Sequence, residues 1–361
     1  MFVIEVIPLT RGSFIESLTY YSGVSYNAGV VIEVPVRKSL VRAVVIGAKP
    51  VSVAKTAVRA ATFSLKKLPD QQTATPLPPA LIETAKILTK TNPAQLGAIL
   101  YALLPPEVRS GSESARYTSP LSHADIRPEI EVLQATYKNR SIAYRSKIRE
   151  VFAHRGSVLL IVPTAADIDP VVEALSSGIE NRLVVFSPHN TKNKMSAAYE
   201  TYYDLTNAKL IITTPAHAYL DRHDITHIIV EQSRSRYYKS KIRPYLDHRD
   251  VLKTLAFVTN RTMTLGDILP RAEDEFFRRE EIYATHGEQP KRLSFESKLE
   301  IIEQTDEPSA ENPFELFSKK LKTEIQKIHG ERGQTFIYAA RRGIAPVVIC
   351  IDCGHIFRCP D

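Results

Sequence analysis

Residues 227–250 read HIIVEQSRSRYYKSKIRPYLDHRD. Ile228, Ile229 and Val230 form a short apolar run that ends in the acidic Glu231, and a tail rich in arginine, lysine and tyrosine follows. An apolar run without alternation suits a strand covered on both faces, as in a parallel sheet. Similar runs lie upstream: SVLLIVP at 157–163, RLVVFS at 182–187 and KLIITT at 209–214, with the helical pattern DIDPVVEALSS at 167–177 after the first. Strand and helix alternate at spacings that suit parallel crossovers, which predicts an α/β lobe.

On the N-terminal side of this lobe the pattern is different. FVIEVIPL, GVVIEVPV and VRAVVIGA are rich in β-branched residues and are separated by Ser, Gly, Asn and Pro, so residues 1–70 are predicted to be a small β-rich barrel or sandwich. PDQQTATPLPPA at 69–80 reads as a linker, because its prolines and small polar residues neither pack nor continue a helix. Ile82, Ala85 and Leu88, then Leu96, Ile99, Leu100 and Leu103, recur at helical spacing and predict two short helices over 81–106. A second linker, rich in serine, covers 107–125. Beyond the lobe a charge-rich stretch over 281–313 precedes FELFSKKLKTEIQKIHGERGQTFIYAARRG, a predicted helix followed by a strand.

Composition sets broader bounds. A chain of 361 residues with 43% apolar content has material for more than one core. Its 47 basic and 40 acidic residues leave a formal charge of +7, a mild excess that favours a polyanionic partner. No apolar run approaches the roughly 18 residues needed to cross a bilayer, and no basic stretch precedes the first apolar one, so the expected location is the cytoplasm without membrane association. All three cysteines fall in the last twelve residues, which points to local metal ligation instead of scattered disulfides.

The tail of the opening stretch, Tyr238, Lys239, Arg243, Pro244, Tyr245, Arg249 and Asp250, resembles the segment that follows the DEEH motif of the PriA family. This family, also called primosomal protein N-prime, comprises replication-restart helicases of superfamily 2. Where the family has DEEH, this chain reads Glu231, Gln232, Ser233, Arg234. Further likenesses follow in family order: GVVIEVPVRKSLVRAVVI at 29–46, NPAQLGAILYALLPP at 92–106, GSVLLIVPT at 156–164, TLGDILPRAEDEF at 264–276 and FIYAARRGIAPVVICIDCGHIFRCPD at 336–361. The resemblance implies a multidomain layout: a 3′-DNA-binding-like β domain (1–70), a winged-helix-like segment (81–106), a RecA-like helicase lobe 1 (126–280), and the start of lobe 2 with a partial zinc-binding insertion (314–361).

The resemblance also marks where the nucleotide chemistry is missing. The family's phosphate-binding TGSGKTEVY falls on Thr136 to Tyr144, with Arg140 and Ser141 in place of the Lys-Thr pair. A phosphate cradle uses glycines so that successive N–H groups can converge on the anion, and here those positions are Tyr137, Lys138 and Asn139. Glu231 retains a carboxylate that a metal would need, but Gln232 replaces the glutamate that polarises the attacking water, and an amide is no base. The arginine that such ATPases contribute from a second lobe has no visible counterpart. The expected protein is a degenerate or truncated member of the family, without ATP or Mg²⁺ chemistry.

For DNA, the resemblance places Arg37 and Lys38 at the turn where relatives hold the 3′ end of a strand, with Lys66 in a nearby basic position and Tyr20 near a terminal-base pocket. Thr19 stands where the family has an acidic residue, and Arg37 where it has glycine, changes that favour phosphate contacts over reading a terminal hydroxyl. A second cluster, Arg234, Arg236, Lys239, Lys241 and Arg243 with Tyr237 and Tyr238 interleaved, combines phosphate neutralisation with stacking surfaces. The same tail also reads as a charged loop with its tyrosines packed beneath. Cys350, Cys353 and Cys359 follow a C-x₂-C-x₅-C spacing suited to tetrahedral zinc, with Gly354 at a knuckle turn; the fourth ligand of the set is absent, and His355 is its candidate substitute. His217, His223, His227 and His248 match no common ligand spacing. The expected function is DNA binding, to single-stranded or forked DNA, in replication restart or primosome assembly alongside other restart proteins. The alternatives are the N-terminal part of a working ATP-dependent 3′-to-5′ DNA helicase, and a protein-interaction module without DNA binding.

Overall fold

The structure, a computed structural model, describes residues 1–11, 17–53, 65–69, 74–112, 128–287, 300, 317–338, 348–350 and 352–357. The chain divides into two compact units, Met1–Pro290 and Lys291–Asp361.

The first unit begins with a six-stranded sheet whose order is β5-β2-β1-β4-β3-β6. It comprises β1 (Phe2–Pro8), β2 (Leu18–Ser22), β3 (Val30–Val36), β4 (Ser39–Pro50), β5 (Lys66–Lys67) and β6 (Thr75–Pro76). In β1 the side chains alternate: Ile4 and Val6 are fully buried, and Glu5 between them faces out. The β1–β4 register jumps from Glu5↔Gly47 to Val6↔Val45, leaving Ile46 as a bulge that bends the long strand. The Tyr20 hydroxyl on β2 donates to the Pro35 carbonyl on β3 at 3.0 Å, although β1 and β4 lie between those strands. The sheet therefore curls until its two sides meet over a core of Ile4, Val6, Tyr20, Ile32, Val34, Val45 and Leu68.

The proline-rich stretch at 69–80 contributes more than a connection. Thr75–Pro76 pairs with Val30 and Val31, Leu77 is buried, and Pro79 opens helix α1 (Pro79–Leu88). Proline suits that first helical position because its missing N–H would have no partner there. Helix α2 (Leu96–Leu103) packs so tightly on β1 that a Cβ at Gly97 would lie 2.2 Å from the Pro8 carbonyl oxygen. Leu81, Leu88, Ile99 and Leu103 of these helices join Val31 and Val44 of the first sheet to Ile228 and Val230 of the second in one continuous core. A short helix α3 (Pro106–Ser110) closes this segment.

The second sheet has seven strands, all parallel, in the order β13-β7-β12-β11-β8-β10-β9. In chain order the elements are β7 (Ile130–Gln134), α4 (Tyr137–Ala153), β8 (Ser157–Ile161), α5 (Ile168–Leu175), β9 (Leu183–Phe186) and α6 (Lys192–Tyr203). There follow β10 (Leu210–Thr213), β11 (Ile225–Glu231), α7 (His248–Thr259), β12 (Thr262–Asp267), α8 (Ala272–Arg279) and β13 (Ala284–Thr285). Every residue of β8 and β10 is buried, as two covered faces require. Tyr144, Ile148 and Val151 of α4 with Ile168, Val171 and Leu175 of α5 cover one face. Tyr199 and Tyr202 of α6, with Val251, Leu252 and Leu255 of α7, cover the other. The carboxyl ends of β7, β12, β11 and β8 lie side by side, and open sheets of this type carry their crevice there. Among the described residues no helix is long and apolar enough to cross a membrane.

In the second unit, α9 (Lys319–Gly330) and the hairpin β14 (Val348–Ile349) with β15 (Ile356–Phe357) are described. The strand expected after the helix begins in 331–338, which form no regular element, and continues outside the described residues.

Candidate functional site

The crevice at the carboxyl edge of the parallel sheet measures about 630 Å³, and Tyr137, Arg140, Gln232, Arg234 and Asp267 are among its walls. Its floor is a buried ion pair. Only Ala135 and Thr136 connect β7 to α4, and the Ala135 N–H already donates to the Asp267 carbonyl at 3.0 Å. Tyr137, Lys138 and Asn139 are thus the first turn of a helix, where a phosphate cradle would need a wrapped loop. One turn along, Arg140 points down into the protein and is 4% exposed. Its Nε and Nη2 donate to the two carboxylate oxygens of Glu231 at 2.9 and 2.5 Å, and its Nη1 donates to the Ala135 carbonyl at 2.6 Å. The Tyr144 hydroxyl donates to Glu231 Oε2 at 2.7 Å.

Glu231 is fully buried, and each of its carboxylate oxygens accepts at least one short hydrogen bond. The carboxylate is thus engaged by donors of its own chain. Burial opposes the charge on Arg140, but the bonds and charge of Glu231 outweigh it and hold the guanidinium protonated beyond its ordinary range. Burial first, then the Glu231 charge, push the Tyr144 phenol well above its ordinary value, so it remains a donor. Tyr144 fits because β12 carries glycine beneath it: a Cβ on Gly266 would lie 1.7 Å from the hydroxyl. The Ser141 hydroxyl turns back to the Tyr137 carbonyl at 2.9 Å, away from the crevice. Gln232 adopts φ +51°, and its amide donates to Asp167 at 3.3 Å.

The basic tail leaves β11 as a braced loop. Tyr238 is fully buried, and its hydroxyl donates to the Glu231 carbonyl at 2.7 Å with the Ile161 carbonyl at 2.9 Å, tying together the ends of β8 and β11. Lys239 pairs with Asp247 in an antiparallel bridge. Arg249 grips Asp247 with Nε and Nη2 at 2.7 and 2.5 Å and donates from Nη1 to the Ser233 carbonyl at 2.7 Å. On this base Arg234, Arg236, Tyr237, Lys239, Lys241, Arg243 and Tyr245 are all exposed. The Arg236 guanidinium lies 5.3 Å from the Tyr237 ring centroid. The two tyrosines of the Tyr-Tyr pair therefore divide between the two readings of this tail, Tyr238 packed beneath and Tyr237 on the surface.

In the N-terminal sheet, Arg37 and Lys38 form the two-residue turn between β3 and β4, both exposed, with Arg37 at φ +54°. A tight hairpin needs such a backbone at its first turn residue. Lys66 is exposed on β5, opposite Tyr20 in the ladder. Tyr20 is 4% exposed and supports the turn from below through its bond to Pro35. In the second unit Cys350 and Cys353 flank a turn in which Gly354 has φ +70° and its N–H donates to the Cys350 carbonyl at 2.9 Å. Hydrogen bonds from the backbone at Cys353 and Asp352 lower the Cys350 thiol from its usual range. Cys359 lies outside the described residues.

The four histidines are dispersed, and no cluster of three or more metal-ligating side chains occurs among the described residues. His217 bonds Glu107 at 3.0 Å, His227 bonds Thr262 and Thr264 at 2.5 and 2.7 Å, and His248 bonds Tyr219 at 2.6 Å. Burial pushes both His227 and His248 down to about 4. Unfolding returns each ring to water, where it takes a proton near pH 6.5, so below that pH the unfolded chain binds protons that the folded chain refuses until about pH 4. Their stabilisation is whole above pH 6.5 and shrinks through the window down to pH 4. Urea unfolding at pH 5 is expected to show a loss of about 2–4 kcal/mol relative to pH 7, at up to ~1.4 kcal/mol per histidine per pH unit. Equal stability at the two pH values rules this out.

The parallel sheet and its carboxyl-edge crevice are consistent with an α/β lobe of the RecA-like class. In sequence the chain is similar to replication restart protein PriA. It is 21% identical to the PriA of Helicobacter pylori strain J99 over 355 residues, 95% of this chain and 54% of that protein. Identity is 26% over 230 residues with the PriA of Chlamydia trachomatis, 62% of this chain and 30% of that protein. With the PriA of Borreliella burgdorferi it is 27% over 142 residues, 37% and 20% of the two chains. The chain spans about half the length of the Helicobacter relatives that it matches. No protein-family model matches it.

Proposed function

We propose that this chain is a PriA-like DNA-binding protein of replication restart or primosome assembly, in which a structural ion pair stands where a nucleotide's phosphates and metal would be handled. The observation that carries this reading is the Arg140–Glu231–Tyr144 cluster beneath a two-residue β7–α4 connection. Phosphoryl transfer relies on positioning and on cations placed around the transferring group. Here the cation at the position of the family lysine is spent on a carboxylate of its own chain, and Gln232 lacks a basic atom to polarise water. DNA binding rests on the exposed Arg37, Lys38, Lys66, Arg236 and Lys239, and on the similarity to proteins named for replication restart.

The test is phosphate release by the purified chain with ATP, Mg²⁺ and forked DNA. No DNA-stimulated release is expected, and turnover at about 1 s⁻¹ or above, the low end of ordinary enzymes, would overturn the reading. In the same proposal Cys350 and Cys353, with Cys359, hold a zinc ion that acts structurally by cross-linking the hairpin. Thiolates on a knuckle turn whose backbone N–H groups face sulfur suit that metal. The protein as purified is expected to carry close to one equivalent of zinc and to lose it on Cys353→Ser; substoichiometric metal in the unchanged chain counts against the site.

A further inference from the structure

The two sheets of the first unit share one apolar core, and apolar packing is non-directional: it holds two bodies together without fixing the angle between them. Directional bonds fix an angle, and the five-residue helix α3 makes them on both of its sides. Toward the N-terminal sheet, the Val108 carbonyl accepts a hydrogen bond from Arg42 Nη1 at 2.5 Å. Arg42 sits on β4 in register with Glu33 of β3, just after the Arg37–Lys38 turn that joins the two strands. Gly111, which ends α3 at φ +81°, gives this guanidinium its room, because a Cβ there would stand 3.1 Å from Arg42 Nη1. Burial lowers the Arg42 guanidinium from its ordinary range, against the pull of Glu33, so the carbonyl partner is costly to lose.

Toward the parallel sheet, two elements grip Glu107. Its Oε2 bonds His217 Nε2 at 3.0 Å and accepts from the Tyr199 hydroxyl at 3.3 Å. His217 lies just beyond the carboxyl end of β10, and Tyr199 belongs to α6. The imidazole is buried and stacked on the Phe186 ring at 5.1 Å with 6° between the planes, which sets the direction of Nε2. Its Nδ1 has no hydrogen-bond partner among the described residues, so Glu107 is the polar anchor of the ring. The His217 bond, opposed by burial, holds the Glu107 carboxyl below its ordinary range. Adjacent residues of one helical turn, Glu107 and Val108, thus face the two sheets.

We infer that α3 is a clip, closed in series by Arg42 on one side and by His217 and Tyr199 on the other, that sets the angle between the two sheets. Glu107 is its positioning residue. A short helix held by directional bonds on both sides moves as a body, so a shift of His217 at the carboxyl edge of the parallel sheet is passed to Arg42 and the Arg37–Lys38 turn. Coupling of this kind is reciprocal: whatever binds at the turn biases that edge of the parallel sheet as well.

The experiment measures the distance between spin labels placed on non-natural amino acids at Lys38 and Lys192 of the full chain, both exposed, one on the turn and one at the start of α6. The unaltered chain is expected to give one narrow distance distribution. Losing one hydrogen bond to a charged group multiplies the released form by about tenfold or more, so Glu107→Ala and Arg42→Met should each broaden the distribution. Because the two contacts act in series, the double variant should be no broader than either single one. Tyr199→Phe, which deletes one donor and keeps the ring, should broaden it less. An unchanged distribution in both single variants overturns the clip, since the apolar core alone would then fix the angle. Additive broadening in the double variant also overturns it, since the two contacts would then be independent. Circular dichroism checks the fold, and if Glu107→Ala does not fold, Tyr199→Phe combined with Arg42→Met is judged by the same criteria.

Discussion

Glu231→Ala lowers the unfolding free energy by about 3–5 kcal/mol, the usual cost of stranding one member of a buried ion pair. Arg140 would keep its charge at 4% exposure with the Ala135 carbonyl as its remaining hydrogen-bond acceptor among the described residues and the Tyr137 ring 5.9 Å away, and the Tyr144 hydroxyl would lose its acceptor. Removing both ends should be far milder. Arg140→Met combined with Glu231→Leu replaces the pair by apolar groups of similar reach, and such exchanges are often neutral or stabilising. The expected result is strong non-additivity in a double-mutant cycle read by urea unfolding. A Glu231→Ala variant within about 0.5 kcal/mol of the parent, the range of ordinary surface changes, would mean that the carboxylate is solvated and that no buried ion pair holds this edge of the sheet together.

The second large effect concerns the row of exposed charge on the loop. Changing Arg234, Arg236, Lys239 and Lys241 together to alanine removes four cations without touching Tyr238, Asp247 or Arg249, which brace the loop. Each phosphate contact on a single strand contributes about 0.7 to the slope of log affinity against log salt, so the fourfold variant should lose close to three units of slope. At 0.1 M salt that is a loss of a few hundredfold in affinity for dT15. The readout is a pair of anisotropy titrations at two salt concentrations, with circular dichroism to verify the fold. If affinity and slope both stay unchanged, the loop is a solvated surface and DNA is held elsewhere, with the Arg37–Lys38 turn as the remaining contact.

Much of the architecture was legible from local pattern. FVIEVIPL, GVVIEVPV and VRAVVIGA correspond to β1, β3 and β4, the apolar runs at 157–163, 182–187, 209–214 and 227–232 correspond to strands of the parallel sheet, and the helical spacing over 81–106 corresponds to α1 and α2. What escaped has identifiable causes. Helix α4 begins at Tyr137, and its first turns fall on residues that the family resemblance assigns to a phosphate loop. Its polar face is also wide, with Lys138, Asn139, Arg145 and Arg149 outside, which blurs the apolar period. The two-residue strands β5 and β6 are too short to show any alternation, and β6 hides among prolines that serve an edge position well.

The site divides in the same way. The amino-acid sequence by itself determines which chemical groups are present: no glycines where a phosphate cradle would wrap, an amide in place of a base at Gln232, and a run of basic and aromatic residues after Glu231. These are properties of residue type and need no coordinates. Only the tertiary structure decides what those groups face. Arg140 and Glu231 are 91 residues apart and meet because β7 and β11 end at the same edge of the sheet on either side of β12, with Gly266 leaving room for Tyr144 above it. Tyr237 and Tyr238 are neighbours of one type, yet a turn of the backbone sends one to solvent and the other onto the Glu231 and Ile161 carbonyls. Residue type sets what a side chain can bind, whereas its direction depends on long-range packing and backbone geometry that no local pattern records.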